Sequence, residues 1–243
     1  MLKEAIEKIQ ELCSPKLFDI VGEKFYTDAR GNISQIRPEL DLIKKISLSS
    51  LDALVAFVKT EAVPRHKQVY ITIPDHKTAN CFTHYNEELR NNRQYLYTAD
   101  ATDVPGWGEK VALPFEEALI ALRTRFQATP DTEYALKLLS DITTGSKVTY
   151  NDNGIATSVV TKRGIDLQTN ASIRPIISLR PYRTFQEVEQ PASQFLIRIN
   201  ERNISFIEAD GGMWKLAARN TVKKYLEAAL EKEVASGEVV VVL

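Results

Sequence analysis

Cysteine is nearly missing from this chain: Cys13 and Cys81 are the only two among 243 residues. Two thiols so spaced exclude a disulfide framework, and the lack of a CxxC pair excludes the common redox and zinc motifs. Both are read as reduced, small core residues. An excess of one charge is missing too. The 31 basic and 32 acidic residues leave a formal net charge of -1. No chain-wide field then draws the protein to nucleic acid or an anionic membrane, and direct DNA binding is disfavoured. Long apolar runs are also lacking. Nothing approaches the ~20 residues of a spanning helix, and Met1 is followed by the amphipathic LKEAIEKIQEL rather than a signal-peptide core. The expectation is a protein that stays in the cytoplasm, with no membrane partner.

What is present is the composition of an ordinary globular protein, 44% apolar and 26% charged. Leu2, Ile6, Ile9 and Leu12 recur at helical spacing up to Ser14-Pro15. LFDIV and KFYTD flank Gly22, and Arg30-Gly31-Asn32 makes a turn before ISQIRP, so a short strand meander follows the helix. Ser49 or Ser50 caps a second helix with Leu51, Leu54, Val55 and Val58 on one stripe. QVYITIP, TANCFTHY and RQYLYTA read as strands, and DATDVPGWGEK reads as a loop. Two helices follow, opened near Pro114 and near Thr129-Pro130-Asp131, and are expected to pair over a sheet. From residue 145 the texture turns to strands, with Asn153-Gly154 as a hairpin signal. Asp210-Gly211-Gly212 leads into a long helix, and EVVVVL closes the chain as a strand expected to be buried or shared between subunits.

Helices and strands are segregated rather than alternating. That predicts an α+β fold with a mixed or antiparallel sheet, a strand-rich C-terminal half, a long C-terminal helix and a terminal strand. The natural divisions are 1–45 (helix and meander), 46–143 (an α/β region with paired helices) and 144–243 (antiparallel strands, helix and strand), all compatible with one domain.

Chemistry is harder to find. His66, His76 and His84 have no metal-ligand spacing, no GxSxG elbow occurs, and neither the P-loop nor the dinucleotide glycine pattern follows Asp210-Gly211-Gly212. No catalytic set, cofactor or metal is predicted. Two segments remain. The turn at Asp210, Gly211 and Gly212 leaves helix N–H groups free with Lys215 one turn in, an anion-site arrangement that the charge of Asp210 opposes, although aspartate is the expected N-cap. The stretch 174–198 is broken by Pro175, Pro181 and Pro191. There Arg180, Tyr182 and Arg183 are suited to stacking on a base or binding phosphate, or else Arg183 bridges Glu187 or Glu189 in an internal ion-pair network.

PYRTFQEVEQPASQFLIRI and FIEADGGMWKLAA, together with PFEEALIAL and the Asn153-Gly154 hairpin, resemble a family of bacteriophage and prophage proteins found chiefly in Gram-positive hosts. They resemble more distantly the YfdQ-like prophage proteins. The resemblance runs from about Ile46 to the C-terminus and carries no reaction and no active site. It implies a viral accessory protein made in the bacterial cytoplasm. The expected role is a self-associating binding protein, rather than an enzyme, acting on an intracellular host or phage process, host-defence evasion or DNA metabolism, with a host protein or a small nucleotide as its partner. The alternatives are a sponge for a signalling nucleotide and a hydrolase with a dispersed site.

Overall fold

The computed structural model describes residues 2–13, 16–28, 30–36, 44–85, 92–144, 147–152, 157–163, 167–172, 174–200 and 203–243. The chain divides into two compact units, Met1–Leu42 and Ile43–Leu243, so the second and third sequence divisions fall within one unit. The fold is α+β.

The first unit holds helix α1 (Leu2–Cys13) and strands β1 (Lys16–Ile20), β2 (Glu23–Thr27) and β3 (Ile33–Gln35), paired antiparallel in that order. The β1–β2 hairpin turns through Val21 and Gly22, both at positive φ (52° and 83°). That conformation matches strand twist but suits Asn or Gly far better than a β-branched residue. Val21→Asn is therefore expected to stabilise this hairpin by about 1 kcal/mol, read as slower amide exchange in β1 and β2.

In the second unit, β4 (Ile46–Leu48) leads into α2 (Leu51–Phe57), which continues through a π-helical turn (Val58–Ala62) into α3 (Val63–Arg65). Ser50 is the cap, its Oγ accepting from Ala53 N at 3.1 Å. Strands β5 (Val69–Thr72), β6 (Thr78–Thr83) and β7 (Tyr95–Asp100) follow, then β8 (Lys110–Pro114), α4 (Phe115–Arg125) and α5 (Pro130–Thr144). Next come β9 (Lys147–Asp152), β10 (Thr157–Arg163), β11 (Leu167–Ser172), β12 (Ile176–Leu179), β13 (Ser193–Ile199) and β14 (Asn203–Glu208). The chain ends with α6 (Met213–Ala229), α7 (Glu231–Ala235) and β15 (Val239–Val242). The Asn153-Gly154 turn, Gly164 and the Cys13 side chain lie outside the described residues; β9, β10 and β11 pair antiparallel.

Two sheets organise this unit. The first has the order β15-β5-β6-β7-β4, antiparallel at its centre and parallel at both edges. Alternation in β5 and β6 turns Val69, Ile71, Ala79 and Cys81 inward, where they meet Leu51 and Leu54 of α2, Val58 of the π-helical turn, Val222 and Leu226 of α6 and Leu230 just after it. The second sheet, β12-β13-β14-β8, is antiparallel throughout. Its inward residues Ile177, Leu179, Phe195, Ile197, Ile204 and Phe206 pack under Ala118, Leu122, Ala135 and Leu139 of α4 and α5.

Two sequence expectations are corrected. The end of DATDVPGWGEK is not loop, since Lys110 begins β8, an edge strand of five residues that ends in Pro114 and pairs with β14 far along the chain. The terminal valines are not buried throughout. Because β15 lies at a sheet edge, Val239 and Val241 enter the core while Val242 and Leu243 stay exposed.

Candidate functional site

The proline-broken stretch between β12 and β13 leaves the sheet and runs through the interior. Pro181 makes an isolated bridge with Phe126, and Tyr182 N donates to Arg125 O at 2.9 Å. Prolines remove ladder donors here, and Gln190, 1% exposed, substitutes for the missing ladder. Its Oε1 accepts from Arg183 N (2.8 Å) and Thr184 N (3.1 Å), and its amide donates to Phe185 O at 2.9 Å. Gln190→Ala strands these buried backbone groups and is expected to cost about 2 to 4 kcal/mol, measurable by urea unfolding.

Arg183 is likewise 1% exposed. Its Nη1 meets the Glu208 carboxylate and lies 3.2 Å from Ser193 Oγ. The guanidinium sits 4.3 Å from the Trp214 ring centroid and 5.4 Å from that of Phe195. Among the described residues, Nε and Nη2 have no hydrogen-bond acceptor. The aromatic faces take that place, as cation–π contacts do best when desolvated. Burial lowers the guanidinium pKa, and Glu208, then Asp210, opposes the shift.

The expected bridge to Glu187 or Glu189 is thus corrected. The chain turns Arg183 inward toward β14 and α6, while Glu187 accepts from Leu51 N at 2.7 Å at the start of α2 and the exposed Glu189 pairs with Arg180. Arg180 and Tyr182 consequently do not converge with Arg183 on one ligand. The Asp210 turn is also corrected: Gly212, at φ 78°, occupies the N-cap of α6. Asp210 instead closes the turn, its Oδ1 accepting from Gly212 N at 3.1 Å and its carbonyl from Met213 N at 3.2 Å. Lys215 Nζ lies 3.8 Å from Glu109. Asp210, Gly211 and Gly212 therefore aim Trp214 under Arg183, and the knot of Arg183, Glu208 and Trp214 is internal bracing between the two sheets.

His76 packs edge-on against Trp214 at 4.7 Å. Burial holds its imidazole below the ordinary 6.5, with Asp75 opposing and Lys77, Lys215 and Arg183 reinforcing. The unfolded chain takes up this proton first, so the stabilisation is present above pH 6.5 and is lost as pH falls through the folded value. Thermal stability should drop from pH 7 toward pH 5, and His76→Gln should flatten the slope. His66, shifted the same way by burial, would supply the remainder.

A different surface gathers recognition chemistry. On the face of the five-stranded sheet opposite α2 and α6, registers align Val240 with Tyr70, Tyr70 with Phe82, and Phe82 with Tyr95. This row crosses four strands. Tyr70 and Phe82 stack at 5.9 Å, and Phe82 and Tyr95 lie 5.4 Å apart. Arg93 lies over Tyr70 (4.6 Å), Phe82 (5.2 Å) and Tyr85 (4.4 Å). His84 stacks on Tyr70 at 5.8 Å. The Tyr70 hydroxyl donates to Gln68 Oε1 at 2.9 Å and lies within hydrogen-bond distance, 3.2 Å, of His84 Nδ1. Tyr85 and Tyr95 are more than half exposed.

The row was not singled out from the sequence. Its signal is an aromatic residue at outward positions of alternating strands, Tyr70 between Val69 and Ile71, and Phe82 between Cys81 and Thr83.

Elsewhere the chemistry is subdued. Among the described residues no group of three or more His, Cys, Asp and Glu is placed to hold a metal, and no helix of these residues is long and apolar enough to cross a membrane. Burial pushes the Cys81 thiol up to about 12, so it stays protonated and unreactive. A groove of about 570 Å³ beside α4 is lined by Trp107, Val111, Ile120 and Arg125. Trp107 there packs edge-on against Phe126 and Phe206 and so serves the core. No family model, curated protein or solved structure matches the chain.

Proposed function

We propose that this chain is a non-enzymatic binding protein that holds a nucleotide by stacking its base on the row of Tyr70, Phe82 and Tyr95. The observation that carries the reading is the row itself: three rings joined by cross-strand register, with Arg93 over two of them. Aromatic rings and a guanidinium plane are the groups that stack on bases, and the guanidinium also pairs with phosphate. The balanced charge, -1 over the chain, favours a small ligand over a long polyanion, whose binding needs many neutralised phosphates.

In the phage setting that the sequence resemblance implies, such binding would sequester a signalling nucleotide in the host cytoplasm. The test is a panel of cyclic, linear and ADP-ribose-type nucleotides beside single-stranded oligonucleotides, followed by denaturation and recovery of the ligand. Intact recovery of a mononucleotide or dinucleotide supports the reading. Conversion of the ligand means catalysis, affinity that climbs with oligonucleotide length means a strand-binding protein, and retention of nothing on the panel favours a protein partner.

A further inference from the structure

Beside the aromatic row, on the same face of the five-stranded sheet, runs a second and mostly polar row. Registers align Val242 with Thr72, Thr72 with Asn80, Asn80 with Thr98, and Thr98 with Ser47, so it crosses all five strands. Thr72 lies two residues from Tyr70, and Asn80 two from Phe82, a step of about 7 Å along each strand. A base held against Tyr70 and Phe82 has these polar side chains at its edge.

Much of the hydrogen-bonding capacity there is unspent. Thr98, 6% exposed, donates its hydroxyl to Asn80 Oδ1 at 2.8 Å. That bond occupies the oxygen end of the amide, and the other end carries two N–H donors. Among the described residues nothing accepts from Asn80 Nδ2, and neither the half-buried Thr72 hydroxyl nor the Arg93 guanidinium has a hydrogen-bond or ion-pair partner. Asp100 stands a row further along and already accepts from Thr78 at 2.9 Å. The surface at the base edge is thus rich in free donors. It suits a base that presents a carbonyl oxygen, as guanine and uracil do. Adenine and cytosine place an exocyclic amine there, and donor would face donor.

We propose that the ligand of the aromatic row is a guanine or uracil nucleotide, and that Asn80, positioned by Thr98, is the residue that reads its base. This assignment rests on the stacking site proposed above.

The test is calorimetric titration of the full chain with pairs that differ at this edge: GMP against AMP, UMP against CMP, and cyclic di-GMP against cyclic di-AMP. The carbonyl-bearing member is expected to bind about 10-fold more tightly. Inosine monophosphate, which keeps the carbonyl and lacks the amino group of guanine, should match GMP. Asn80→Ala should shrink the difference within each pair. Asn80→Asp, which can still accept from Thr98 but has no N–H to give, should reverse the order. Equal affinity within the pairs, tighter binding of AMP and CMP, or a preference that Asn80→Asp leaves unchanged overturns the assignment. The stacking site itself then stands if Tyr95→Ala still weakens binding. Retention of no nucleotide at all removes both the site and its base preference.

Discussion

Arg183→Ala is expected to lower the free energy of unfolding by about 3 to 5 kcal/mol, because it strands a buried carboxylate. Glu208 is 7% exposed at its side chain and faces Arg183 at 2%. With the guanidinium gone, the hydrogen bond left to its carboxylate among the described residues is that from Trp214 Nε1–H at 3.3 Å. For a unit of this size the loss corresponds to a melting temperature lower by roughly 6 to 20 °C. Arg183→Lys should recover little, since an ammonium cannot face Trp214 with a plane and reach both Glu208 and Ser193. Arg183→Met with Glu208→Leu should recover much of the loss, because replacing a buried pair by apolar groups of similar volume is often neutral. A shift below about 1 kcal/mol for Arg183→Ala, the range of solvent-exposed pairs, would end the reading of this knot as bracing. Arg183→Ala should also leave nucleotide affinity unaltered in whatever fraction stays folded, which separates bracing from recognition.

Tyr95→Ala is expected to weaken nucleotide binding by about 5- to 150-fold, the range for losing one stacked base. Tyr95 is 54% exposed, so the substitution should scarcely move the melting temperature. Tyr95→Phe keeps the ring and should bind nearly as wild type. Arg93→Ala should act in the same direction, with a loss that shrinks at high salt if the guanidinium pairs with phosphate and not if it only stacks. Calorimetric titration with the nucleotide retained in the panel experiment reads all three. Equal affinity for Tyr95→Ala and wild type would move the ligand off this face.

The α+β character was legible because QVYITIP, QFLIRI and the Leu51, Leu54, Val58 stripe carry their periods openly. KVALP did not read as strand because it is short, ends in proline and owes its state to Phe206 and Ile204, partners some ninety residues away. Sequence proximity misled at Arg183. Glu187 and Glu189 are its neighbours along the chain, whereas Glu208 lies in FIEADGGMWK and reaches it only once β13 and β14 have paired. Both partners nevertheless stand in the two motifs singled out from the sequence. The aromatic row was hidden for a related reason: Tyr70, Phe82 and Tyr95 sit in three strands, and only register makes them neighbours. Local patterns encode which face a residue takes, but not which residue lies across from it.

The parallel pairing of Val239 with Val69 spans 170 positions of chain. Ribosomes add roughly 5 to 20 residues per second, so β5 emerges about 10 to 30 seconds before the strand that finishes its sheet. For most of that interval Val69 and Ile71 lie beside an unpaired edge, and until residue 229 is made they have no α6 above them. Such non-local closure makes folding slow and leaves partly built chains prone to stick to one another. Molecules truncated before β15 should therefore be the form that chaperones hold, and soluble yield should rise when translation is fast relative to the encounter of nascent chains.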